Sequence, residues 1–426
     1  MSVLKRDMWR TMSRTVGAKL YSLVISVLTL TLTARWLGPD GRGEYAAVLA
    51  WASAFVGIAH CSLAEVASQR LSGHAQHEER FRSVAMALVY ACLALSGIAW
   101  LVALLLWHLR PEMFGQLSPG LLALALAYLP WMVWEIYGTV LLIMSERIVL
   151  ANISLVLGRT LSIACVVLAV AVWDLGVVGV LLAGLAGQIV VSSGAIWLVW
   201  RRCAQGLPSW PAIRAEFKPL LSGSVRLHLN ALGSILLNTT GTLMIASTVG
   251  MREAGFFQLA QQLMNVLLVV PQSASQVLYG RQGELGPDGV WPLQRKMILL
   301  IVLLTTGMGL AVALTGSYWL PWVAGPGYES AAPLLLALVP VLVFLSFSSI
   351  MASQWIGRGL FLSTSVITLI VGSVNLLVAS ILIPRLGIMG AVYGQMCALA
   401  IAVLTNGGMA WWCERQFRLH SVKVAE

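Results

Sequence analysis

The sequence predicts an all-α membrane protein of about twelve transmembrane helices, arranged as two pseudo-symmetric groups of six. Three observations predict it. Charged residues make up 10% of the 426 positions and hydrophobic residues 59%, with a mean hydropathy of +0.85. The apolar residues come in runs of about 20, the length that crosses a hydrocarbon core. The pattern of glycine and basic residues also repeats after about half of the chain.

A soluble domain carries about 25% charged residues. A chain with less than half of that cannot coat a globular surface with polar groups. Lipid offers the backbone no hydrogen-bond partners, so spanning runs of this length are helices. The net charge of +10 does not point to nucleic acid. The basic residues sit in short segments between apolar runs, which fits orientation in a membrane. Cys61, Cys92, Cys165, Cys203, Cys397 and Cys413 show neither pairing nor metal spacing and read as small, mostly buried hydrophobes. The first apolar run follows a basic start but is too long for a cleaved signal, so it reads as a retained first helix.

Taken in order, the first span covers roughly 13–37 and stops at Gly38-Pro39, and the second covers 44–68. The third, 83–108, is closed by Pro111, and the fourth to sixth lie near 120–144, 148–173 and 176–200. The seventh and eighth follow at 220–248 and 255–279, and the ninth, 297–323, ends at Gly325-Pro326-Gly327. The last three lie at 331–355, 360–384 with Pro384 at its end, and 387–412.

An even number of spans puts both termini on one side. With that side inside, the inner segments hold most of the Lys and Arg residues, from Lys5 and Arg6 to Arg418 and Lys423. The outer segments hold only Arg35, Arg42, Arg110, Arg252 and Arg385. This asymmetry predicts cytoplasmic termini. The outer segments are too short for an external domain.

The repeat has a constant register. Gly38 and Gly43 recur as Gly250 and Gly255, and Arg6 and Arg14 as Lys218 and Arg226, each 212 positions on. Arg147, Gly176 and Gly179 recur as Arg358, Gly387 and Gly390, 211 positions on. Both halves start inside, so the repeat is parallel, and a substrate site is expected at its interface. The expected domains are a six-helix bundle over 1–200, a basic, proline-bearing linker over 201–219, and a second bundle over 220–426.

Cations inside spans are costly, about 2.5–3.5 kcal/mol at a helix centre. Lys19 and Arg14 lie near the inner edge, where snorkelling to headgroups competes with a cavity role. Arg226 and Arg159 lie deeper and point to an anionic ligand. In the seventh span Arg226, Asn230, Ser234 and Asn238 recur every fourth residue. In the eighth, Gln258, Gln262, Asn265, Gln272 and Gln276 form an amide stripe that suits a hydrated lumen better than interhelical bonding alone. Pro271 adds a bend. Acids inside spans are Glu65 and Glu135. Glu65 is expected to pair with Arg70, while Glu135 lies deeper, among Trp131, Trp134 and Tyr137, and is a candidate proton carrier with His60 and His228. Trp100, Trp107, Trp319 and Trp322 cluster near span ends and read as interfacial anchors. No phosphate loop, zinc spacing or catalytic triad is present in the sequence, so no cofactor, metal site or catalytic residue is expected.

The segments "ARWLGPDGRGEYA", "GPGYESAAPLLLALVPVLVFLSFSSIMASQWIGRG" and "NLLVASILIPRLGIMGAVYGQ" resemble the polysaccharide-exporter branch of the multidrug/oligosaccharidyl-lipid/polysaccharide flippase superfamily. The resemblance covers nearly the whole chain and rests on the order and spacing of these segments together. It implies two six-helix bundles around a central cavity, and alternating access that flips undecaprenyl-diphosphate-linked oligosaccharide between leaflets of a bacterial inner membrane. It implies cavity arginines that engage the anionic substrate, which points to Arg14, Arg159 and Arg226. It also implies coupling to an ion or proton gradient. The family's acidic residue in the middle of the seventh helix is replaced here by Asn238-Thr239-Thr240-Gly241.

The partners so expected are a polyprenyl-diphosphate-linked oligosaccharide and membrane lipids, with a polysaccharide polymerase or glycosyltransferases as further candidates, and no nucleic acid. The physics of the residues agrees, because arginine binds phosphate oxygens bidentately and amides suit sugar hydroxyls. A multidrug extruder of the same superfamily is the alternative, although organic cations favour buried acids, and here cations dominate the spans. A membrane glycosyltransferase or polymerase ranks lower, since no loop is long enough for a catalytic domain.

Overall fold

The computed structural model describes the backbone of residues 2–72 and 78–425, with side chains described at these positions except 2–16, 19, 226 and 419–425. Among the described residues it contains helices and no strand. The helices are α1 (Ser2–Ala59), α2 (Leu63–Leu71), α3 (Glu78–Leu109), α4 (Pro119–Met144), α5 (Ile148–Val167), α6 (Gly176–Cys203), α7 (Trp210–Thr248), α8 (Met251–Leu267), α9 (Val269–Leu314), α10 (Gly316–Ala324), α11 (Ala332–Gly357), α12 (Phe361–Leu386) and α13 (Ile388–Ala425).

Among the described residues ten helical runs are long and apolar enough to cross a membrane. Two of them, Leu20–Ala59 and Met251–Leu314, are broken inside, at Gly38 (φ 66°, ψ −179°) and Gly286 (φ 70°, ψ 166°). A left-handed glycine ends one helix and the proline after it, Pro39 or Pro287, starts the next. Each broken run therefore crosses twice, and ten runs give twelve spans. Large apolar side chains such as Leu101, Leu300 and Leu404 are exposed on the helices, as lipid-facing surfaces require. The protein is a multi-pass membrane protein.

The spans differ from expectation at several places. The ninth, expected at 297–323, starts at Pro287 and is interrupted at Thr315, between α9 and α10. Three others stand out. The second is interrupted at His60–Ser62, where Cys61 and Ser62 adopt φ of 46° and 51°, and resumes as α2. The eighth is interrupted at Leu268, because Pro271 has no N–H for the carbonyl of Leu267. The seventh becomes helical ten residues early, at Trp210. Pro211 fits the first turn of a helix, where its missing N–H costs nothing.

The chain forms two compact units, Met1–Ala231 and Leu232–Glu426, with the boundary inside α7. In the first unit α5 and α6 meet through small residues. A Cβ on Gly158 would lie 2.6 Å from the carbonyl oxygen of Gly187, and the reverse holds at the same distance. Such contacts let membrane helices pack backbone to backbone. Arg42, predicted on the outer side, is fully buried and its guanidinium donates to the Thr33 hydroxyl at 2.6 Å. It is a tertiary strut of the α1 corner.

In the second unit α11 carries a buried polar ladder. The Gln354 amide donates to Gln294 Oε1 at 2.7 Å and to the carbonyl of Pro287 at 3.1 Å, and Arg358 pairs with Asp288 at 2.6 Å. This ladder fixes α11 to the restart of α9. The repeat is visible in the backbone, since the matched glycines Gly176 and Gly387 share φ of 56° and 58° at the entries to α6 and α13.

Candidate functional site

Arg159 sits near the middle of α5, half-buried. It makes no ion pair among the described residues, and its Nε is buried without a hydrogen-bond partner. Its neighbour Thr160 is hydrogen-bonded to the Tyr21 hydroxyl at 2.7 Å, which ties α5 to α1. Tyr128 of α4 lies within electrostatic reach of Arg159 and donates to the carbonyl of Leu181 at 2.5 Å. A guanidinium at this depth demands an anion or water. Its unused donors match a carboxylate or phosphate in fork geometry.

Glu135 of α4 accepts a 2.5 Å hydrogen bond from Gln188 of α6. Ser192, one turn further on, donates to the carbonyl of Trp131 at 3.1 Å. The carboxylate thus belongs to an α4–α6 polar contact and has no cation beside it among the described residues. Glu65 is exposed on the first turn of α2 and does not pair with Arg70. Arg70 instead bonds Glu216 of α7 at 2.7 Å. The expected pair fails geometrically, because residues five apart on a helix do not face each other.

His60 and His228, offered separately by the sequence, are brought together. Their rings meet edge to face with centroids 5.5 Å apart. His60 Nδ1 lies 3.1 Å from the carbonyl of Val56, and the Tyr137 hydroxyl donates to the His60 carbonyl at 2.8 Å. His228 Nδ1 is buried without a partner among the described residues.

In the second unit, Asn238 of α7 and Asn265 of α8 line one cleft. Gln261 and Gln395 join them there, beside apolar residues such as Leu342 and Met264. About 20 Å³ of it is open to the centres of water molecules, room for about one water. The Oε1 of Gln395 is buried and has no partner among the described residues, and Asn238 donates to the carbonyl of Ser234 at 2.8 Å. Gln258 and Gln262 are half-buried and do not line this cleft, and Gln272 is exposed beyond the break at Leu268. The break takes the later amides out of phase with Asn265.

Sequence reasoning missed Gln261, Gln395 and Asn375. Asn375 of α12 donates to the carbonyls of Leu236 and Leu237 at 3.0 and 3.3 Å, while its Oδ1 is buried without a partner among the described residues. Gln395 and Asn375 were lone amides off the stripes, Gln261 stood beside Gln262 on a different face, and only packing brings Gln261 and Gln395 to one cleft. Asn230 is exposed on α7. The side chains of Arg14, Lys19 and Arg226 lie outside the described residues. Among the described residues no three His, Cys, Asp or Glu side chains come together as a metal site.

The sequence model of a family described as "Polysaccharide biosynthesis protein" matches residues 8–281. Among solved structures, one described as "Lipid II flippase MurJ, inward closed conformation" aligns with a TM-score of 0.71 at 12% identity, over 97% of this chain and 87% of that one. Another, an inward-facing multidrug resistance MATE family transporter of the MOP superfamily, aligns with a TM-score of 0.67 at 17% identity, over 93% and 96% of the two chains. At these identities the likeness is one of fold. No curated protein matches the chain.

Proposed function

Because the chain belongs to the polysaccharide biosynthesis protein family, matched over more than half of its length, we propose that it flips a polyprenyl-diphosphate-linked oligosaccharide across a bacterial inner membrane for surface polysaccharide export. It works by alternating access, with bundles over 1–200 and 220–426 joined by a linker over 201–219, and with both termini cytoplasmic. It is a transporter with no catalytic step of its own.

The observation that carries this reading is Arg159, a half-buried mid-helix cation with a buried, unpartnered Nε. A diphosphate headgroup supplies the missing anion. The amide cleft at Asn238, Asn265, Gln261 and Gln395 supports a ligand rich in hydroxyls. The shared fold with a lipid II flippase supports the lipid-linked class. We assign Arg14, Lys19, Arg159 and Arg226 to the headgroup, and Asn230, Asn238, Gln258, Gln262, Asn265 and Gln272 to a hydrated path. Coupling falls to His60 with His228, ahead of Glu135 and Glu65, because the two rings meet at the break between α1 and α2.

The test is flipping in inverted vesicles, with lipid-linked sugar compared against a cationic dye. Movement of the sugar lipid and not of the dye is expected. Movement of the dye alone would replace this reading with a multidrug extruder, the reading that the shared fold with a multidrug resistance transporter favours.

A further inference from the structure

α7 begins at Trp210, but its apolar membrane-spanning stretch begins only at Leu227. The part before that stretch extends about 25 Å at 1.5 Å per residue. It carries a shallow, open groove of about 740 Å³. Trp210, Arg214, Lys218, Leu221 and Val225 line it. Their spacing of three and four places them on one face. Trp210, Leu221 and Val225 remain 57%, 48% and 67% exposed, although they precede the apolar span. Trp210 is braced edge-on by Tyr90 of α3, centroids 5.8 Å apart.

The charges on this face are unbalanced. Arg214 and Lys218 stand one turn apart, both exposed, and neither forms an ion pair among the described residues. The acid between them in sequence, Glu216, is committed to Arg70 at 2.7 Å. Side chains four apart on a helix lie about 5–6 Å from one another at Cβ, so both cations can reach one diphosphate. The exposed Leu221 and Val225 follow on the side of the apolar span, where a hydrocarbon tail would lie. Arg214, Lys218 and Ser222 recur every fourth residue, and the same interval leads on to positions 226 and 230, an arginine and an asparagine.

We propose that this face of α7 docks the polyprenyl diphosphate end of the substrate, tail along Leu221 and Val225 and phosphates on Arg214 and Lys218. It is a loading station ahead of the deeper cation Arg159, and it rests on the flippase reading. Two phosphates on one headgroup engage both cations together. A bulk phospholipid with a single phosphate engages one, so the groove discriminates.

The experiment uses the full chain in phosphatidylcholine nanodiscs, with photoreactive benzoylphenylalanine replacing Leu221 and undecaprenyl diphosphate as the probe. Labelling is expected to fall at least about tenfold in the Arg214→Gln/Lys218→Gln double variant, and to survive the charge-preserving Arg214→Lys/Lys218→Arg exchange. A tenfold excess of phosphatidylglycerol should compete poorly. Equal labelling in the double variant overturns the proposal. So does equal competition by phosphatidylglycerol, which would make the groove a general lipid contact, and so does equal labelling from a photoreactive group at Leu300, an exposed site on α9. Flipping by the unlabelled chain is measured in parallel. If lipid-linked sugar does not flip but labelling still requires Arg214 and Lys218, the flippase reading falls and the groove stands. If it flips while labelling ignores both cations, the groove falls and the flippase reading stands.

Discussion

His60 and His228 pack edge to face, ring centroids 5.5 Å apart, at the point where α1 gives way to α2. Val56 of α1 and Tyr137 of α4 bond the ring and carbonyl of His60, which ties the proposed coupling pair to both helices. His228→Gln and His60→Gln should each flatten the pH dependence of transport between about pH 5 and 8. Transport driven by a pH gradient in vesicles is the measurement. An unchanged profile in both variants removes the pair from coupling.

Arg159 makes two opposed predictions. Arg159→Met should raise the thermal stability of the purified protein, because it removes a half-buried charge without a protein partner. The same change should abolish surface-polysaccharide display in a strain lacking its own flippase, at normal membrane abundance. Arg159→Lys should restore only part of it, since lysine lacks the planar fork. Display at the unsubstituted level with Arg159→Met would take Arg159 out of the site.

Arg226 and its repeat mate Arg14 occupy matched positions, 212 apart, in α7 and α1. If both clamp phosphate, Arg226→Lys should lower display at constant abundance and Arg226→Ala should lower it further. Full display with lysine and none with alanine would mean that charge suffices. Full display with alanine removes Arg226 from the path.

Arg70 and Glu216 join α2 to α7, with side chains 24% and 12% exposed. Losing one partner leaves the other partly buried and unpaired, at a cost of about 1–3 kcal/mol. Glu216→Gln should therefore lower the midpoint of thermal unfolding in detergent. The Arg70→Met/Glu216→Met double variant should lose less than the two single variants summed.

Topology is tested by reporter fusions at Pro208, between α6 and α7, and after Glu426. Cytoplasmic activity is expected at both sites from the Lys/Arg asymmetry. A periplasmic signal at either one would invert the path along α7.

The spans were legible because twenty-residue apolar runs and glycine-proline corners are local signals: the Gly38 corner falls at the Gly38-Pro39 junction, and the Gly286 corner, not singled out in the sequence, falls between the eighth and ninth spans. The first turns of α7 were not. Trp210 to Pro219 mixes cations, proline and aromatics, a composition that reads as linker, and its helicity comes from packing such as Trp210 on Tyr90 and Glu216 on Arg70. Arg159 was visible as a cation in an apolar run. Gln261 and Gln395 were not, because their shared cleft joins helices far apart in the chain. The amide stripe of the eighth span showed one gap, at Val269, and the interruption at Leu268, set by the proline three residues after it, turns that gap into a change of phase.

The backbone contact of Gly158 with Gly187 has a mechanical consequence. A side chain at either glycine would collide with the other's carbonyl oxygen and force α5 and α6 apart. Arg159 is the residue after Gly158, and Gln188, which holds Glu135, is the residue after Gly187. If a headgroup engages Arg159 as proposed, its pull reaches the Gly158–Gly187 contact one residue away, beside the amide that bonds Glu135.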